Sequence, residues 1–289
     1  MASLAAHLSR AVLRRFLRPR LCGEAGDEAA VRALNLRWPW PPAGAAETDP
    51  QTPGEWIRTG SAEAATLLYL HGGAFMAGSP RLCRSTARFF ARSGFDVFTP
   101  AYRLAPAHRF PAALDDVTAA YERLAALGPL MLAGDSAGGG LALALMLRLR
   151  ARGLPLPRAA ALFSPWTDLS ASGASTRDNE GKDPIFTRRA LRLAARQYLG
   201  EASARELEAS PLFGDLTGLP PLLLHVGADE LLLDDSRRLA ERAAAAGTKV
   251  ELKIFPSVPH GWQLGVAFMP EARASLREAA AFLARYAGD

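Results

Sequence analysis

Long apolar runs are missing from this chain of 289 residues. Crossing a bilayer as a helix takes about 20 consecutive apolar residues. The best candidate here, 141–149, falls short and carries Arg148, so it reads as a buried helix. Cysteine is nearly absent, with only Cys22 and Cys83. Two are too few for a disulfide framework or a metal site; they read as free thiols in a reducing compartment, and the expected location is cytoplasmic. Lysine is scarce as well, at 182, 249 and 253 alone, so the net charge of +5 rests on arginine. The arginines are scattered among Ala and Leu with no accompanying binding motif, which argues against a nucleic-acid partner. What is abundant is apolar side chain: 49% of the residues. That composition predicts a packed globule rather than a disordered chain, and the length suits one large core.

The first eighteen residues are arginine-rich and free of acids. They have the composition of a transit peptide, but no uninterrupted apolar stretch leads to a small-residue cleavage site, which speaks against secretion. Leu4, Leu8, Val12 and Phe16 recur every four residues and define one helical face, with Arg10, Arg14, Arg15 and Arg18 largely elsewhere. Pro19 is expected to end the helix. The expectation is that the apolar face packs on the body of the protein; a helix lying on a membrane surface is the rival reading, and stable insertion is not expected. Residues 36–54, rich in Pro and Gly and holding Trp38 and Trp40, read as an irregular entry segment.

Beyond it, strands and helices alternate. Strands are predicted at 66–70, 96–102, 130–133, 159–163, 222–226 and 250–255. Helices are predicted at 81–92, 112–127, 138–152, 188–198, 234–246 and 271–286. This rhythm is that of an α/β protein with a mostly parallel central sheet flanked by helices. It breaks over 166–213, where loop and helix replace strand. An insertion over the strand ends is where a pocket forms in such sheets.

Gly134-Asp135-Ser136-Ala137-Gly138 lies between a predicted strand and a predicted helix. It fits the G-x-S-x-G nucleophile elbow, in which a serine on a sharp turn needs small neighbours two places away. The helix that follows aims its N-terminus at the site and favours negative charge there. His71-Gly72-Gly73-Ala74-Phe75 follows another strand, and glycines let backbone N–H groups approach a developing oxyanion. Gly72, Gly73 and Ala137 are the expected oxyanion donors, with His71 holding the loop. Of five histidines, His260 alone sits in a loop after the last strand, downstream of the nucleophile as this fold requires, and is the expected base. The acid should follow the strand at 222–226. Asp234 and Asp235 open a helix and have a role there, which leaves the neighbours Asp229 and Glu230.

From about residue 55 onward the chain resembles the hormone-sensitive-lipase-like esterases, bacterial family IV. The matching text is HGGAF at 71–75, YRLAP at 102–106, FPAALDD at 110–116, GDSAGG at 134–139, SPWTDLS at 164–170 and HGW at 260–262. The resemblance implies an α/β-hydrolase fold with a helical cap, a small-molecule ester substrate of short to medium chain, no metal or organic cofactor, and often a homodimer. It implies a single domain over 1–289, with a cap from about 1–45 plus 166–213 and a core of 46–165 and 214–289. Three places depart from the family pattern. Ala74 stands for the third glycine of HGGG, and Ala107 for a glutamate after YRLAP. The acid motif D-P-L-x-D-E aligns through Asp234-Asp235 so that Glu230, rather than Asp229, takes the catalytic place. The implied triad is Ser136, His260 and Glu230, with Phe75, Met76, Trp166 and Trp262 as pocket candidates. An amide or carbamate hydrolase with the same triad, or a non-catalytic binding protein on the same fold, are the alternatives.

Overall fold

The computed structural model describes residues 2–22 and 46–288; Trp38 and Trp40, and with them much of the expected first cap segment, lie outside these. The strands are β1 (Glu47–Thr48), β2 (Gly54–Ile57), β3 (Ala65–Leu70), β4 (Phe95–Pro100), β5 (Leu130–Asp135), β6 (Ala160–Phe163), β7 (Leu222–Gly227) and β8 (Val250–Phe255). They form one sheet in the order β1-β2-β4-β3-β5-β6-β7-β8. β3 to β8 run parallel, and β1 and β2 add an antiparallel edge beside β4. The helices are α1 (Leu4–Val12), α2 (Arg18–Cys22), α3 (Arg84–Arg92), α4 (Ala112–Ala125), α5 (Ala137–Ala151), α6 (Ser175–Asp178), α7 (Arg188–Leu199), α8 (Leu233–Ala245) and α9 (Pro270–Ala284).

Alternate side chains along each strand point to opposite faces, and both faces are covered. Leu67, Tyr69, Val97, Met131, Ala133 and Phe163 join a core with α3 and α9. Leu68, Leu70, Leu132, Leu162 and Leu224 join the other, with α4, α5 and α8. The helix at the centre of this second core, α5, is buried from Ala137 to Leu149. Its one buried charge, Arg148, is forked onto Glu208 and bonded to Asp115 at 2.6–2.7 Å, as a buried guanidinium requires.

Between β6 and β7 there is no strand, only α6, α7 and a short turn at Pro211–Phe213. Asp234 and Asp235 reach across to this segment rather than serving only their own helix. Asp235 accepts the N–H groups of Thr167 and Asp168 at 2.8 and 2.9 Å, and Asp234 accepts that of Ser175 at 2.8 Å. Burial and the neighbouring Asp168 push the Asp235 pKa up to about 7.

The N-terminal residues differ from expectation in two ways. Helical backbone runs on past Pro19 to Cys22, because a π-helical stretch at Leu13–Leu17 precedes it; such a widened turn relieves the clash a proline ring makes with the preceding turn. The helix does pack on the body, but by another face than the apolar stripe. Ala6 and Leu13 are buried, while Leu4, Leu8, Val12 and Phe16 are exposed. Polar anchors decide the orientation. Glu271 takes the Ser3 N–H and hydroxyl at 2.5 and 2.8 Å, Arg10 pairs with Asp229 at 2.8 Å, and Arg14 donates to the carbonyls of Gly181 and Lys182 at 2.8 and 2.9 Å. The expected entry segment 36–54 also turns out to hold β1 and the start of β2.

Candidate active site

Ser136 sits where β5 turns into α5, with φ 54° and ψ −121°, a conformation that a residue with a side chain adopts only when its surroundings hold it there. Here three backbone bonds do so. The Ser136 N–H donates to Phe163 at 2.8 Å, and its carbonyl accepts from Gly140 and Trp166, each at 3.0 Å. Gly138 is obligatory in the following turn, since a Cβ there would stand 2.0 Å from the Leu70 carbonyl oxygen. The helix start thus presses against the end of β3, bringing the 71–75 loop beside the serine. Ala137 opens α5, so its N–H is one of the first-turn donors that no carbonyl within the helix can take.

His260 follows β8 and is buried, as is Glu230 after β7. His260 Nδ1 lies 2.5 Å from Glu230 Oε2. The other carboxylate oxygen, Oε1, accepts the Ser164 hydroxyl at 2.7 Å and the Gly227 N–H at 2.5 Å. Asp229 faces elsewhere, paired with Arg10. Burial alone would lower the His260 pKa, but the charge and hydrogen bond of Glu230, with Asp183 and Asp135 behind them, outweigh it and hold it above the ordinary 6.5. Nε2 of His260 is buried and has no hydrogen-bond partner among the described residues.

The 71–75 loop corrects one expected donor. The Gly72 N–H interacts with the buried Asp135 carboxylate and helps keep it charged against burial, which raises its pKa. Asp135 also accepts the Tyr69 hydroxyl at 2.9 Å. After Gly72 the chain turns sharply: Gly73, Ala74 and Phe75 all have positive φ, and the Gly73 carbonyl accepts from Met76 and Ala77 at 3.0 and 2.9 Å. That turn uses neither the Gly73 nor the Ala74 N–H. His71 stacks on Tyr102 with ring centroids 4.2 Å apart, the Tyr102 hydroxyl donates to the His71 carbonyl at 2.5 Å, and burial drops the imidazole pKa to about 4. It is a neutral brace for the loop.

Among the pocket candidates, Phe75, Met76 and Trp166 are buried together in the core that holds Ala137, and Phe75 lies 5.7 Å from Trp166 and stacks on Tyr198 at 3.9 Å. Trp262 belongs elsewhere. It packs 5.2 Å from Phe255 in the core with α9, beneath the sheet from the other three. Phe186, which has no motif to mark it, instead stands edge-on to His260 at 5.0 Å.

Two further residues went unmarked in the sequence, and both steady the acid loop. Asn179 donates to the carbonyls of Ala228 and Glu230 at 3.1 and 2.9 Å. Asp183, fully buried, accepts the N–H groups of Ile185, Phe186 and Leu231 at 2.8, 3.0 and 3.0 Å. Removing its carboxylate strands three buried donors at about 1–3 kcal/mol each. Asp183→Ala is therefore expected to lower Tm by several degrees and to cut kcat by loosening Leu231 beside Glu230. Thermal denaturation and steady-state kinetics check this, and a variant unchanged in both removes Asp183 from the part.

Among the described residues no cluster of His, Cys, Asp and Glu is arranged to hold a metal ion, and no helix is long and apolar enough to cross a membrane.

A family model described as alpha/beta hydrolase fold matches residues 67–264. The chain is 41% identical to an acetyl-hydrolase of Streptomyces hygroscopicus over 81% of its length and 80% of that protein's. It is 36% identical to an esterase of Acinetobacter venetianus, over 79% and 78%. Among solved structures, EstE5 superposes with a TM-score of 0.91 at 33% identity. An esterase from the bacterial hormone-sensitive lipase family superposes at 0.89 and 35%, and both matches cover 100% of each chain.

Proposed function

The chain belongs to the alpha/beta hydrolase fold family, in the branch of the bacterial hormone-sensitive-lipase-like esterases, and from that premise we propose that it cleaves short- to medium-chain carboxylic esters through an acyl-enzyme on Ser136. The observation that carries this reading is the buried Glu230–His260 pair at 2.5 Å, delivered by strand ends to the same side of the sheet as the serine elbow. His260 Nε2 takes the Ser136 proton as Oγ attacks the ester carbonyl. Glu230 holds Nδ1–H and stabilises the imidazolium. The tetrahedral oxyanion is met by the N–H groups of Gly73, Ala74 and Ala137; each such donor is worth roughly 10²–10³ in rate. His260 then protonates the departing alcohol, and water repeats the sequence on the acyl-enzyme. Phe75, Met76 and Trp166 give the acyl group an apolar wall, while residues 166–213 and the described part of the N-terminal segment form the cap. The low cysteine content supports a reducing, cytoplasmic setting.

The experiment is hydrolysis of p-nitrophenyl esters from acetate to palmitate, beside p-nitroanilides of the same acyl groups. Cleavage of acetate to octanoate, falling steeply toward palmitate, with anilides orders of magnitude slower, is the expected result. Folded protein that cleaves no ester in the series overturns the reading.

A further inference from the structure

Seven large apolar residues are exposed among the described residues, and four of them lie on the N-terminal helix: Leu4 at 74%, Leu8 at 57%, Val12 at 48% and Phe16 at 57%. Scattered single exposures need no explanation, but a continuous stripe marks an interaction surface. This stripe is not a loose end. The contacts of Ser3, Arg10 and Arg14 bolt the opposite side of the helix to Glu271, Asp229 and the 181–182 carbonyls, and so hold the apolar side outward.

The helix that carries the stripe is positive. No acid occurs before Glu24, and Arg15 and Arg20 are exposed along the helix with Arg18 half-buried. α2 packs against α7, and α7 turns a second basic row outward: Arg189, Arg192 and Arg196 are exposed at helical spacing. None of these six makes an ion pair among the described residues. α7 contains no acid of its own; Glu180 and Glu201 lie beyond its two ends in the sequence.

We propose that this face of the cap docks on an anionic lipid surface. The apolar stripe lies in the acyl boundary, and the arginines of the N-terminal helix and α7 rest on headgroup phosphates. An apolar strip edged by arginine is the pattern of helices that lie in a membrane interface. A second copy of the chain is a poorer fit. Four side chains cover well under the ~800 Å² per partner of a stable protein interface, and two copies would set arginine against arginine. Adsorption by this face places the cap, and the acyl pocket beneath it, at the boundary where sparingly soluble esters collect.

The test is co-sedimentation of the full chain with vesicles of phosphatidylcholine alone and of phosphatidylcholine with one quarter phosphatidylglycerol. Binding is expected only with phosphatidylglycerol, and to weaken as salt rises. An arginine near an anionic surface is worth roughly fivefold in binding, so Arg189→Gln with Arg192→Gln and Arg196→Gln should weaken it on the order of a hundredfold. Leu8→Ser with Phe16→Ser should weaken it about tenfold or more. Both sets leave hydrolysis of soluble p-nitrophenyl butyrate unchanged, which certifies the fold. No binding by the parent, equal binding to both vesicles, or variants that bind like the parent overturn the proposal. So does a dimer that Leu8→Ser with Phe16→Ser breaks in the absence of vesicle binding, since the stripe then belongs to a second copy.

Discussion

Ser136→Ala is expected to lower kcat on p-nitrophenyl butyrate on the order of 10⁶-fold, the loss that follows removal of the nucleophile from a serine triad. The size of the effect comes from chemistry, since Ser136 is the one hydroxyl of the elbow Gly134-Asp135-Ser136-Ala137-Gly138 between β5 and α5. Its cleanness comes from structure. The strained backbone at Ser136 is held by bonds of its own N–H and carbonyl to Phe163, Gly140 and Trp166, none of which involves the hydroxyl. Alanine can therefore keep the turn, and Tm should move little. What remains is the modest acceleration of the oxyanion donors and of substrate binding alone. Single-turnover measurement with excess enzyme is the sharpest check, because the parent should release p-nitrophenol in one rapid phase as it acylates and the variant should show none. A variant within tenfold of the parent places the nucleophile elsewhere and returns the fold to the binding-protein alternative.

Much of this arrangement was legible in the sequence because it is local. The parallel strands bury both faces and so read as short apolar runs, and Gly138 is dictated by a backbone approach that any elbow of this type must make. What was not legible depends on neighbours remote in sequence. β2 is four residues long and is held in the sheet by pairing with β1 and β4. The outward turn of Leu4, Leu8, Val12 and Phe16 is set by Glu271 and Asp229, more than two hundred positions away in the chain; periodicity reports that a face exists, not which way it turns. Trp262 and Trp166 look alike in sequence, yet the sheet separates them. Gly72 was an expected oxyanion donor because it is a glycine in the right loop, and only the fold shows Asp135 beside its N–H. Asn179 and Asp183 belong to no catalytic motif, and their part emerges only once the segment after β6 is seen against the acid loop.

The acid is the sharper case, because two adjacent carboxylates compete for one role and geometry separates them. Glu230→Gln is expected to cut kcat on the order of 10⁴-fold, as loss of the triad carboxylate does when shape is preserved. The cause is a tautomer. In the parent, Oε1 is held by two donors, the Ser164 hydroxyl and the Gly227 N–H. The backbone N–H cannot become an acceptor, so the glutamine amide must place its oxygen there and turn its NH₂ toward His260 Nδ1. The imidazole is then forced to carry its proton on Nε2, the nitrogen that has to accept from Ser136. The pH profile moves too. Catalysis needs neutral imidazole, so the raised pKa of His260 puts the acid limb of the parent's kcat/KM above the ordinary 6.5. Removing the Glu230 charge should slide that limb to lower pH while the plateau collapses. The same raised pKa means that stability drawn from the His260–Glu230 contact, while the carboxylate is ionised, is fully present below the ordinary imidazole value of 6.5 and is lost as pH rises through the raised folded-state value. Asp229→Asn touches only a partly exposed pair with Arg10, and pairs of that kind contribute little; kcat should stay within a few-fold and the pH profile unmoved. If the two variants exchange these behaviours, Asp229 is the acid, and the loop must shift by one residue when substrate binds.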